Sequence, residues 1–191
     1  MSGGYFSDAG LFLVDTVLGL YILIVLLRFL FQLVGADFYN PISQFIAKAS
    51  NPPLGYLRRV VPGLRGIDFA AVILLIVLEG ARIAITAQLI GRSPQLSGLL
   101  ILSIAELLKL AVYVMVFSIF IRALLSWVSG GRSHPMLHLL HSFTEPLMAP
   151  ARRILPAMGG LDLSPIIVFI VLMLILKLFV QPLLDLGRIL I

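Results

Sequence analysis

Asp15, Glu79, Arg82, Glu106, Lys109 and Lys177 each stand inside a stretch that is otherwise almost wholly apolar. Three acids and three bases in such surroundings have two uses: an ion or proton pathway, or a salt-bridge network between helices. Glu79 with Arg82, and Glu106 with Lys109, are three residues apart, which places each pair on one face of a helix. Opposite charges in equal number do not make a simple cation filter, which needs a ring of uncompensated carboxylates or carbonyls.

A second group lies in TEPLMAPARRILPAMGGLDLSP, residues 144–165, which holds Glu145, Pro146, Arg152, Arg153, Gly160, Asp162, Ser164 and Pro165. Asp162 precedes an apolar run, where its carboxylate can cap a helix against the positive end of the macrodipole. Pro165 then suits the first turn, where a missing N–H is no loss. Pro146 and Pro150 each restrict the residue before them to extended geometry. The expectation is a sharp turn and then a short interfacial helix bounded by Pro150 and Pro156, with Arg152 and Arg153 against anionic lipid headgroups. The plainer alternative gives that arginine pair to topology alone.

Arg28 and Arg122 lie about six residues inside an apolar stretch, roughly 9 Å from its end. They can snorkel to the surface, or pair with the aspartates that start the next stretch, Arg28 with Asp68 and Arg122 with Asp162. His134, His138 and His141 share a face if helical and could hold zinc or haem, but neither a thiolate nor a carboxylate triad accompanies them. A nucleophile elbow, a phosphate-binding glycine loop and a zinc-protease spacing are all absent from the sequence. Neither catalysis nor a metal or cofactor is expected.

The elements that position these groups follow from composition. The chain has 191 residues, 60% hydrophobic and only 12% charged, where soluble domains carry about 25% charged residues. This is an integral membrane protein. The formal charge of +5 does not point to nucleic acid, because no basic run is interleaved with stacking aromatics. With no cysteine, disulfides and thiolate sites are excluded. MSGGYFSDAG at the start lacks the positive region of a signal peptide.

A spanning helix takes about 20 mostly apolar residues, and four stretches qualify, near 11–35, 67–90, 99–128 and 163–190. Two long connections, 36–66 and 129–162, carry Lys48, Arg58, Arg59, Arg65, Arg132, Arg152 and Arg153, whereas the short loop and the tails hold Arg92 and Arg188. The excess of basic residues predicts cytoplasmic long connections and external termini.

A shift of 94 positions aligns the halves without a gap: Arg28 meets Arg122, Pro52 meets Pro146, Arg58 and Arg59 meet Arg152 and Arg153, Gly66 meets Gly160, and Asp68 meets Asp162. Each unit contains two spans, so both copies enter the membrane in the same sense. The expected division is a first repeat over 1–90, a short external loop over 91–98 and a second repeat over 99–191. The expected architecture is all-α, a pseudo-twofold bundle of four spans with amphipathic Pro/Arg-rich connections.

RALLSWV at 122–128, followed by the 144–165 stretch running into an apolar helix, resembles the signature of the YggT family, also called YlmG, of bacterial and plastid membrane proteins. The similarity covers nearly the whole chain in two copies. The first copy departs from the pattern, with Asn51 for Glu145, Tyr56 for Pro150, Ala70 for Ser164 and Ala71 for Pro165. The resemblance implies a non-enzymatic protein of the bacterial inner membrane associated with ion homeostasis or osmotic tolerance. The alternative it implies is a scaffold for a partner complex in cell division or cytochrome maturation. A membrane-protein partner or a homo-oligomer fits either role.

Overall fold

The computed structural model describes residues 3–64, 66–128, 135–154 and 162–191. Arg65, Arg132, His134, Pro156 and Gly160, singled out above, lie outside them.

Four apolar helices are long enough to cross a membrane: Asp8–Val34, Phe69–Leu89, Leu96–Leu125 and Ser164–Ile189. The first belongs to α1 (Gly3–Val34) and the third to α4 (Leu96–Val128), and α3 is Phe69–Leu89. The fourth comprises α6 (Ser164–Ile175), one π-helical turn (Leu176–Val180) and α7 (Gln181–Ile189). At 1.5 Å per residue, α1 and α4 reach about 48–50 Å, well beyond a hydrocarbon core of about 30 Å, so both tilt or project. The π turn comes just before Pro182, which has no N–H for the carbonyl four residues back. Widening the helix there accommodates the proline.

The connections are themselves helices, α2 (Pro41–Val60) and α5 (Pro135–Ile154). Each buries a stripe at helical spacing: Ser43, Ile46, Ala47, Ser50 and Leu54 on α2, and Leu139, Leu140, Phe143, Thr144, Met148 and Ala151 on α5. The sharp turn expected at Pro146 and Pro150 is not made, because both prolines sit inside α5. They are four apart and both exposed. The carbonyls they leave without a donor therefore lie on the outer side of the helix, where an interior proline costs least.

Within the first repeat α1 packs on α3, and in the second α4 packs on α6 and α7, while α2 and α5 lie across their own repeats. The α4–α7 contact is close enough that a Cβ on Gly187 would fall 2.9 Å from Leu102 Cβ. The repeats meet through α3 and α4. A twofold axis would also bring α1 against α6, and among the described residues these two helices do not form a packed pair. The pseudo-twofold expectation is therefore corrected: the repeats are parallel copies that pack head to tail.

Candidate functional site

At the end of the molecule that carries α2 and α5, each repeat closes its mouth with arginines. In the first, Arg28 leaves α1 and donates through Nη1 to the Ala47 carbonyl at 2.8 Å, Ser50 Oγ at 3.1 Å and Asn51 Oδ1 at 2.6 Å, all on α2. Arg58, in the last turn of α2, donates from Nε to Asp68 Oδ2 at 3.1 Å and also from Nη2. Between them Leu64 and Ile67 exchange backbone hydrogen bonds around Gly66, whose φ of +85° favours glycine. Asp68 is only 4% exposed and caps α3, its Oδ1 accepting the Ala71 N–H at 3.2 Å.

In the second repeat Arg122 donates from Nη1 to Thr144 Oγ1 at 2.7 Å and to Glu145 Oε2 at 3.2 Å. Arg152 donates from Nη2 to Glu145 Oε1 and from Nη1 to Asp162 Oδ2 at 3.4 Å. Asp162 Oδ1 accepts the Ser164 N–H at 3.0 Å and the Ser164 hydroxyl. Its bond runs two residues forward, so it closes a turn onto the first residue of α6, while the N-cap position itself falls on Leu163.

The pairings Arg28–Asp68 and Arg122–Asp162 are not formed. The connecting helix lies between the partners and supplies its own arginine: Arg58 takes Asp68, Arg152 takes Asp162, and the span arginines are satisfied by the middle of α2 or α5. Three contacts recur at the shift of 94: 28–50 as 122–144, 28–51 as 122–145, and 58–68 as 152–162. Sequence reading missed Ser50 and Thr144. Both are hydroxyl residues at matching positions, and that match was the available signal.

Charge sets the ionisation of the second mouth. Burial opposes ionisation of Glu145, but the hydrogen bond and charge of Arg152, aided by Arg122, hold its carboxyl below the usual range. Asp162 is likewise held low, the bonds from Ser164 and the nearby Arg152 outweighing burial. The bond to Glu145 raises Arg152 further. His141 is pushed down by burial and by the Arg122 charge.

The charges inside the spans are at the opposite end. Arg82 donates to Asp15 Oδ1 at 2.9 Å and pairs with Glu79, and Lys109 pairs with Glu106. Glu79, Arg82, Glu106 and Lys109 share the walls of a cavity of about 180 Å³. Lys177 does not join them. It is exposed on the π turn and makes no ion pair among the described residues.

A larger cavity of about 710 Å³ opens at the first mouth, lined by Arg28, Arg58, Asp68 and Ser43 among others. The buried hydroxyl of Ser43 has no hydrogen-bond partner among the described residues. Of the histidines, His138 lies exposed with Nδ1 3.5 Å from Asp37 Oδ2, and no group of three potential metal ligands occurs among the described residues. Arg153 is exposed, Pro146 is exposed on α5, and Pro165 stands in the first turn of α6.

The sequence profile of the CCB3/YggT family matches residues 7–89 and again 101–183. An uncharacterized protein of Pseudomonas aeruginosa is 44% identical over 88% of this chain and 87% of its own length. One from Vibrio alginolyticus is 45% identical over 83% of this chain and 86% of its own. The uncharacterized protein YggT of Escherichia coli K12 is 39% identical over 84% of each chain. No solved structure matches.

Proposed function

From the premise that this chain belongs to the CCB3/YggT family, we propose that it is a non-enzymatic protein of the bacterial inner membrane that holds a partner assembly at the cytoplasmic surface through α2 and α5. The observation that carries this reading is the division of labour within each arginine pair. Arg58 and Arg152 are turned inward onto Asp68 and Asp162, while their neighbours Arg59 and Arg153 stand exposed. The inward arginines fix the helix, and the outward ones present charge from a rigid support. The basic excess of the long connections supports their cytoplasmic placement. Arg153, and not the engaged Arg152, is the residue left for anionic headgroups.

A second reading, ion homeostasis or osmotic tolerance, is favoured by the cavity between Glu79, Arg82, Glu106 and Lys109. The pairing of those charges supports a structural use, since a pathway gains most from groups left free to exchange partners.

The two readings separate in one set of variants. Arg59→Glu with Arg153→Glu, in protein whose thermal midpoint is unchanged, is expected to fail to restore a strain lacking the gene, whereas Glu79→Gln and Glu106→Gln restore it. Potassium, sodium and proton flux into liposomes carrying the purified protein should equal that of empty liposomes. Flux above that background, abolished by Glu79→Gln, would overturn the scaffold reading in favour of ion movement.

A further inference from the structure

The contact between the repeats uses each of two complementary surfaces once, although the chain possesses each of them twice. On α4, Leu107, Leu110, Ala111, Val114 and Met115 form one helix face and pack against the core that includes Ile22, Val25, Leu26, Ala71 and Leu75 of α1 and α3. This is a ridge seated in a groove. Ninety-four positions earlier the same ridge occurs on α1 as Leu13, Thr16, Val17, Leu20 and Tyr21, and the first four are exposed. Ninety-four positions later the same groove lies between α4 and α6, as an open apolar cleft of about 640 Å³ that includes Val116, Ile119, Phe120, Pro165 and Phe169. Phe120 and Phe169 are 57% and 49% exposed, where their counterparts Leu26 and Leu75 are 4% and 3%.

The unpaired charges match this geometry. Ile83 and Leu102 line one small cavity where α3 meets α4. Their repeat counterparts are Lys177 and Asp8, both exposed and neither in an ion pair among the described residues.

We propose that copies of this chain associate head to tail in the membrane, the α1 ridge of one entering the α4–α6 groove of the next, with Asp8 of the first facing Lys177 of the second. The intermolecular contact repeats the contact already made inside the chain. Lipid tails are as apolar as leucine, so close packing drives the association and the ion pair sets its register. Such a contact is heterologous, and it continues from copy to copy until a ring closes. The inference stands on the repeat geometry and not on the scaffold reading.

The internal contact also supplies a ruler. A Cβ on Gly80 would lie 3.3 Å from Ser103 Oγ, and the counterparts of these residues are Leu174 and Ala9. The chain has no cysteine of its own, so Ala9→Cys and Leu174→Cys report this contact alone, at a separation a disulfide can bridge. In membranes oxidised with copper–phenanthroline, the doubly substituted chain should crosslink into dimers and higher species. The two single variants should crosslink when co-expressed and stay monomeric when expressed alone. Lys177→Glu should lower the yield severalfold, and Asp8→Lys added in the same chain should recover most of it, which separates lost register from misfolding. A double-cysteine chain that stays monomeric, as it would with lipid alone in the groove, overturns the proposal. Self-crosslinking of a single variant, an unchanged yield in Lys177→Glu, or no recovery overturns it equally.

Discussion

The two mouths are built from the same five positions and differ mainly in one. Where the first repeat has Asn51, a neutral acceptor bonded to Arg28, the second has Glu145, whose two oxygens take Arg122 and Arg152. The first mouth therefore consists of two separate clasps beside a cavity of about 710 Å³. In the second, Arg122, Glu145, Arg152, Asp162 and Ser164 form one unbroken chain of charge-assisted bonds from α4 through α5 to α6. The difference teaches that the aspartates matter unequally. Asp68 is buried and serves as both cap and ion partner, whereas Asp162 is exposed and is one of two carboxylates on Arg152.

The largest test of that inequality removes each aspartate in turn. Asp68→Ala loses a cap worth about 1 kcal/mol and a charge-assisted bond worth about 1.5–3 kcal/mol, so a loss of roughly 2–4 kcal/mol is expected. Asp162→Ala should cost about half as much, since its pairing is exposed and Arg152 retains Glu145. Thermal or denaturant unfolding in detergent reads both, and equal costs would remove the distinction between the mouths.

A middle-sized effect isolates the bridging carboxylate. Glu145→Gln should cost about 1 kcal/mol at neutral pH, because a side chain 45% exposed is screened by solvent. The same variant changes the acid response. Glu145 and Asp162 are held below the ordinary carboxylate range, so the stability they add is complete above the unfolded value near pH 4 and disappears as pH falls through the lower folded values. The wild-type thermal midpoint should fall through that acidic window, and Glu145→Gln should flatten part of the fall. A parallel pH profile in the variant would show that Glu145 is not the group responsible.

The smallest expected change converts the first mouth into the second. Asn51→Glu places a carboxylate within reach of Arg28 and offers one to Arg58, for a gain of about 0.5 kcal/mol. Destabilisation instead would mean that Arg58 cannot turn from Asp68 without undoing the cap.

Much of this arrangement was legible in advance. Long apolar stretches, the doubled Arg-Arg pair and the two helix-starting aspartates announced themselves by type and spacing. Ion partners did not, because a guanidinium on a long side chain can reach several carboxylates, and spacing along the chain does not say which element intervenes. Arg28 and Asp68 looked like neighbours across a hairpin mouth until α2 was found lying between them. Pro146 and Pro150 misled for a related reason: a proline restricts its predecessor, but whether it ends a helix depends on which side its missing bond faces.

The sequence alone determined four spans and two parallel copies, because hydrocarbon admits only long, internally bonded apolar helices and because signature residues recur at one fixed shift. Only the tertiary structure decided that α4 sits in the groove of the first repeat while its own groove stays open. Apolar faces on all sides of a spanning helix carry no mark of which one meets protein and which meets lipid. That choice is made by close packing between helices, and packing exists only once the helices are in place.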